Sequence, residues 1–462
     1  MKEKINAFFE ANRENIVQDV FRLVRIASDR GEAKEGMPFG EGPYRALQEA
    51  LALCAERGMK AENVDNYVMY TDIGSAEPCL DILAHLDVVP VANNWTVCDP
   101  FEPIEKDGVL YGRGTADDKG PAVAALYAML CVKELGAELK GRCRLILGTD
   151  EESGSGDIRH YYASNAEAPM TVSPDGDFPV INLEKGHFRA FATAPFAGDG
   201  DIVSIAAGFR LNVVPDTAEA VLAGCRAAEL ESLVRAAAEE TKTTISLSEL
   251  DGQTKVFVQG VGAHAAMPEG GNNALTALLH TLSVLPLQGK DAELLRAAAK
   301  LFPHGDYLGG GLGIARSDAA SGPLTLSLNM ASVADGQMKL AFDSRFCVSA
   351  TRENMQLPAI ANCAAAGWTL SDGPLMAPHH VPEETPFVQT LLKVYEDWTG
   401  KEGKCLAIGG GTYVHELENG VAFGATLPGV DNRMHGADEF ANVDDLLLMG
   451  KIYAQTILEL CG

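Results

Sequence analysis

The chain has 462 residues, 64 of them acidic and 37 basic, giving a formal net charge of −27. Such an excess of carboxylates excludes the basic face that nucleic-acid binding requires and argues against docking on anionic lipid. With 47% hydrophobic residues and a length beyond the roughly 250–300 residues that one core fills, two or more domains are expected.

The opening residues, Met1-Lys-Glu-Lys-Ile-Asn-Ala-Phe-Phe-Glu10, lack the apolar core of a secretory leader and read as the start of an amphipathic helix. No run of about 18 apolar residues occurs, so no membrane span is expected. The ten cysteines are dispersed, form no Cys-x-x-Cys pair and lie mostly in apolar segments. They read as reduced, buried thiols, and the expected location is the cytoplasm.

Ile5, Phe8, Phe9, Ile16, Val20, Phe21 and Val24 recur at helical spacing. A loop rich in Gly and Glu follows over residues 31–43, then a helix over 44–57 stopped by Gly58. Three short apolar strands come next, each running into polar residues. Residues 79–84 lead to His85-Leu-Asp87, residues 143–147 to Gly148-Thr-Asp-Glu-Glu152, and residues 169–173 to Pro174-Asp175-Gly-Asp177. Between the first two lies Tyr111-Gly-Arg-Gly-Thr-Ala-Asp-Asp-Lys-Gly-Pro121, a glycine-rich turn with Asp117 and Asp118 ahead of a buried helix. Pro121 suits a first helical turn, where its missing N–H does no harm. A further helix is expected over residues 157–163. This alternation predicts an α/β fold with a mostly parallel sheet covered by helices on both faces, and ligands gather beyond the carboxyl ends of such strands.

From about residue 188 the texture changes. Alternating strands over 202–206, 218–222, 255–258, 324–330 and 337–342 are interspersed with helices over 227–241, 273–284 and 291–301. The α/β pattern returns from about residue 383, with a helix over 387–398, strands over 406–408 and 421–425, and a helix over 443–458. The expected organisation is a discontinuous catalytic domain, 1–187 and 383–462, interrupted by an inserted α+β lid domain, 188–382.

Taken singly, the polar residues at the strand ends have ordinary readings: a packed histidine, turn aspartates, a solvated loop. Together they form a donor set. Asp87 lies two residues after His85, on the same side of an extended chain, as suits a carboxylate that receives the other ring N–H of a ligating imidazole. Glu151 and Glu152 would face opposite ways on an extended chain, one ligating and the other acting as general base. His85, Asp117, Glu152, Asp175 and His435 supply two imidazoles and three carboxylates. Nitrogen and oxygen donors without thiolate fit zinc, manganese or cobalt. Five ligands exceed the need of one four-coordinate zinc, whereas two metals sharing a carboxylate use them all.

The stretches His85-Leu-Asp87-Val-Val-Pro90, Gly112-Arg-Gly-Thr-Ala-Asp117-Asp-Lys-Gly120, Asp150-Glu-Glu152-Ser-Gly154, Ser173-Pro-Asp175 and Met434-His435 resemble the zinc-dependent aminoacylases, carboxypeptidases and dipeptidases that share a co-catalytic di-metal site. Order and spacing agree over essentially the whole chain. Length and lid size are most similar to the bacterial dipeptidase V branch, the Xaa-His or β-alanyl (carnosine-type) dipeptidases.

The resemblance implies a role for each residue. Asp117 bridges both metals, His85 and Asp175 complete one site, and Glu152 and His435 complete the other. Glu151 is the general base, Asp87 orients His85, and the Asp117–Asp118 peptide bond is cis. Gly260-Val-Gly-Ala-His264-Ala-Ala-Met-Pro268 resembles the family's lid histidine motif, with His264 stabilising the oxyanion. Asn212 and Arg345 match positions that hold a dipeptide's terminal carboxylate, a task suited to an arginine fork. Gly410, within Gly409-Gly-Gly-Thr412, resembles a glycine-rich loop near substrate. His415 stands where relatives often carry other residues. The implied activity is hydrolysis of dipeptides with two divalent ions, Zn2+ first and Mn2+ or Co2+ as alternatives, in a monomer or homodimer. The competing expectations are an N-acyl amino-acid deacylase or carboxypeptidase on the same site, and a non-catalytic binding protein on the same scaffold.

Overall fold

A computed structural model describes residues 1–462. The chain divides into two compact units, the first comprising Met1–Leu183, His379–Leu406 and Gly411–Gly462, the second Glu184–Pro378 with Ala407–Gly410.

The first unit is built on a sheet whose strands lie in the order Ala61–Val64, Val68–Gly74, Arg142–Gly148, Pro78–His85, Met170–Ser173, Gly420–Ala422 and Val180–Glu184. The four central strands, from Arg142–Gly148 to Gly420–Ala422, run parallel. The flanking strands pair antiparallel. Every residue from Leu80 to His85 is buried, as a parallel strand covered on both faces requires. Alternation sends Ile82, Ala84, Leu145 and Leu147 into the larger core, beneath the helices Lys2–Val24, Lys119–Glu134 and Val443–Cys461. Leu83, Ile146 and Val68 point the other way, into a smaller core with Tyr161, Tyr413 and Leu417. The helix Lys119–Glu134 is buried almost all round, which its run of alanines with Val123, Leu126, Met129 and Val132 permits.

Several boundaries differ from the sequence expectation. The second helix starts at Glu41, because Pro43 is accommodated in its first turn. The helix after the glycine-rich turn starts at Lys119, with Asp118 as its N-terminal cap residue. The strand expected over residues 421–425 ends at Ala422. The hairpin Ala61–Val64/Val68–Gly74 escaped the sequence reading, because its outer strand is polar and largely exposed.

The second unit carries an eight-stranded antiparallel sheet. In Gly186–Pro195 buried and exposed residues alternate strictly, the mark of a sheet with one covered face. Phe188, Phe342, Leu278 and Trp368 share its core. The helix Ala274–Val284 starts at Asn273, whose Oδ1 accepts from the amides of Leu275 and Thr276. No helix of the protein is long and apolar enough to cross a membrane.

Candidate metal centre

Three parallel strands and two loops of the first unit deliver the polar residues. His85 ends the strand Pro78–His85 and is fully buried. Asp175 follows Met170–Ser173, and Glu151 and Glu152 follow Arg142–Gly148. These are the carboxyl ends of adjacent parallel strands, where open α/β sheets place ligands. Asp117 and His435 come from loops.

The donor atoms converge in two groups that share Asp117. His85 Nε2 lies 2.9 Å from Asp117 Oδ1 and 3.8 Å from Asp175 Oδ2. His435 Nε2 lies 2.8 Å from Asp117 Oδ2 and 3.0 Å from Glu152 Oε1. Within each group the ligand atoms all fall within 4.8 Å of one another. His85 Nε2 and Asp117 Oδ1 are buried and neither makes a hydrogen bond, despite their proximity. Two buried polar atoms that face each other without bonding are costly, and a cation between them satisfies both. The donor set therefore fits divalent metal, with Asp117 offering one oxygen to each group.

Electrostatics point the same way. Burial opposes charge on Asp117, but the His435 and His85 imidazoles outweigh it and hold its carboxyl well below the usual range. Burial likewise opposes charge on His435, yet Asp117 and Glu152 raise it to about 11. Protons therefore compete with any cation for these nitrogens. Burial, reinforced by Asp117, pushes Asp175 up to about 7. Burial, then the charge of Asp175, holds Glu151 well above the ordinary carboxylate range.

The surroundings fix the donors. His85 Nδ1 lies 3.0 Å from the Asp87 carbonyl oxygen and 3.5 Å from its carboxylate. The Asp87 carboxylate accepts from the amides of Glu151 and Glu152, both at 3.1 Å. Asp118 Oδ2 accepts from the His85 amide at 3.1 Å, and the Asp117–Asp118 peptide bond is cis. Glu151 and Glu152 do not lie on an extended chain. They form the 3-10 turn Glu151–Ser153, which Asp87 stabilises by accepting from their two amides.

In the second unit, Val213 pairs with His264 in a two-stranded ribbon, and Ala265 donates its amide to the Asn212 carbonyl, so Asn212 and His264 lie side by side. His264 is exposed, and its Nδ1 accepts from the Ala266 amide. Arg345 is buried in the strand Gln337–Phe346 and forks onto Asp343, Nε and Nη2 donating at 2.8 and 2.9 Å. Its Nη1 lies 2.8 Å from His187 Nε2 and donates to the carbonyl of Gly409, beside Gly410. His415 is half-buried in the turn Tyr413–Glu416, its ring 6.3 Å from that of His379.

The model of the peptidase family M20/M25/M40 matches residues 82–459, spanning every donor named above. The chain belongs to this M20 peptidase family. It is 35% identical to the YtjP protein of Bacillus subtilis (strain 168), over 97% of either chain. It is also 35% identical to the Beta-Ala-Xaa dipeptidase of Lactobacillus delbrueckii subsp. lactis, over 98% of this chain and 97% of that one. Human carnosine dipeptidase 1 shares the fold, with a TM-score of 0.58 at 15% identity, covering 100% of this chain and 99% of the other.

The sequence reading missed two residues of this M20 peptidase that touch both ligand-bearing loops: Arg113 and Glu439. The signal was present, since Arg113 sits between two glycines and Glu439 follows His435 by four residues. Neither, however, looks like a ligand in one dimension.

Proposed function

We propose that this M20 peptidase is a dipeptidase with a two-metal centre, in which Asp117 bridges, His85 and Asp175 hold one ion, and Glu152 and His435 hold the other. The observation that carries the reading is the Asp117 carboxylate, whose two oxygens belong to two separate donor groups. The dipeptidase assignment draws on the Beta-Ala-Xaa dipeptidase, similar over nearly the full length of both chains. Nitrogen and oxygen donors suit Zn2+, with Mn2+ or Co2+ as alternatives.

When bound, such ions supply Lewis acidity at the scissile carbonyl and lower the pKa of water. The protein's own groups do the rest. The Glu151 carboxylate accepts the proton of the attacking water and passes it to the departing amine nitrogen, a task suited to its raised pKa. Asp87 holds Glu151 and Glu152 in register through their amides. Arg345, set by Asp343, and Asn212 receive the substrate's terminal carboxylate, with Gly410 in the adjoining loop. His264 donates to the oxyanion. The lid, expected over residues 188–382, corresponds to the second compact unit, Glu184–Pro378 with Ala407–Gly410.

The test is Glu151→Gln, with metal content and dipeptide hydrolysis measured together. Retained metal with hydrolysis lowered at least about 100-fold is expected; retained metal with undiminished turnover would overturn the base assignment. A panel of dipeptides against N-acetyl amino acids checks the substrate class, and preference for the acetylated series would favour a deacylase.

A further inference from the structure

Asp117 and His435 are more than 300 residues apart in sequence and sit on loops flanked by the paired strands Val109–Tyr111 and Phe440–Asn442. Beyond that ladder, where the Gly112 amide also donates to the Glu439 carbonyl, one ion pair ties the two loops. Glu439 is fully buried, and its Oε1 accepts from the amides of Gly114 at 2.9 Å, Ala116 at 3.0 Å and Asp117 at 3.2 Å. Its Oε2 accepts from Arg113 Nη1 at 2.5 Å. Arg113 is 2% exposed, and its Nη2 donates to the carbonyls of His435 at 3.2 Å and Gly436 at 3.0 Å. The amide of Asp117 and the carbonyl of His435 are therefore both held by one guanidinium–carboxylate pair. The Arg113 Cζ lies over the Trp95 ring, 5.5 Å from its centroid.

The His435 loop needs such a hold. Arg433, His435 and Asp438 all have left-handed backbones, with φ of 57°, 62° and 57°. Side-chain-bearing residues avoid that region unless surrounding contacts impose it. Asp438 is fastened from outside by the amides of Thr96 and Val97, and Arg113 takes the carbonyls at the loop's tip. A buried ion pair adds little net stability, because desolvation offsets most of its attraction. What this pair does contribute is geometry.

We infer that Arg113 and Glu439 are positioning residues that set the separation of Asp117 from His435, so that one carboxylate can serve both donor groups. The inference rests on the two-metal reading above. The pair touches no donor atom; it acts through the backbone of two donors. Because Asp117 belongs to both groups, the pair bears on both, and most on the Glu152/His435 group, which has two of its donors on the tied loops.

The experiment measures Zn2+ stoichiometry and affinity by calorimetry and elemental analysis on full-length wild type, Glu439→Ala, Glu439→Gln, Arg113→Lys and His435→Ala, with melting of the metal-stripped proteins recorded in parallel. Wild type is expected to take two ions and His435→Ala one. Glu439→Ala and Arg113→Lys should each weaken one of the two ions about 10–100-fold, the range typical for partners of ligands, and the other, reached only through Asp117, by less. A lysine offers one compact ammonium where the guanidinium spreads its donors over two nitrogens, so it cannot match the spacing of the carboxylate and the two carbonyls. Glu439→Gln keeps an oxygen for the three amides and should recover part of the loss. If Glu439→Ala does not fold, Arg113→Lys and Glu439→Gln carry the test. Two wild-type ion affinities in the folded variants would overturn the positioning role, whatever the melting shows. Fewer than two ions in wild type would instead overturn the two-metal reading itself, and the positioning role with it.

Discussion

Adjacent aspartates in one turn have been given different work. Asp117 aims its two oxygens at two donor groups, whereas Asp118 spends one oxygen on the His85 amide and begins the helix Lys119–Glu134. Asp117→Asn should therefore abolish binding of both ions, because the bridging charge is lost. Asp118→Asn keeps an acceptor for the His85 amide and should retain both ions with a modest loss of affinity. Elemental analysis after dialysis checks this; equal loss in both variants would end the distinction. Asp81 offers a separate residue-scale test. It is 3% exposed, and burial pushes its carboxyl up to about 6. Its unfolded value is about 3.9. The neutral form is favoured in the fold, so stability is fullest below about pH 4 and falls as the pH rises through 6, by about 3 kcal/mol in all. Asp81→Asn should flatten this fall, visible in denaturant midpoints measured from pH 4 to 8, and an unchanged slope would contradict it.

At the scale of elements, the sheet and its strand ends were legible, because mostly apolar runs flanked by His85, Glu151–Glu152 and Asp175 advertise buried parallel strands. The outer hairpin was not, since polar edge strands lack the alternation that marks a half-buried face. The turn at Glu151–Ser153 was read as extended, because nothing local discloses that Asp87, 64 residues away, organises it. Arg113 and Glu439 were illegible for the same reason: their meaning is a contact between distant loops. Gly148, closing the strand Arg142–Gly148, shows how tight this region is. A Cβ there would fall 2.1 Å from the Tyr413 hydroxyl and 2.3 Å from Asp157 Oδ2. Asp157 accepts from the amides of Thr149 and Asp150, directly before the glutamates. Gly148→Ala should cost about 1–3 kcal/mol by overpacking and weaken metal binding by shifting Glu152. Thermal melting with metal titration checks both; a wild-type result in the two would mean the turn yields freely.

Across the whole molecule, the first unit is discontinuous in sequence. The strand Gly420–Ala422 lies between Met170–Ser173 and Val180–Glu184, pairing Gly420 with Thr171 and Ala422 with Ile181. A chain ending at residue 419 leaves that gap in the middle of the sheet and omits the helix Val443–Cys461, which packs on Lys119–Glu134. Such a fragment should show no cooperative melting of the first unit by circular dichroism, and a sharp transition would refute this.

The same threading imposes a timetable on biosynthesis. Four of the five donors have been synthesised once Asp175 is made, yet His435 follows 260 residues later, a delay of roughly 10–50 s at ordinary elongation rates. Throughout that interval the nascent chain carries a carboxylate-rich half-site without its second imidazole, its sheet still missing the strand Gly420–Ala422. On the proposed two-metal reading, the second donor group is complete only once His435 has been made, long after the first.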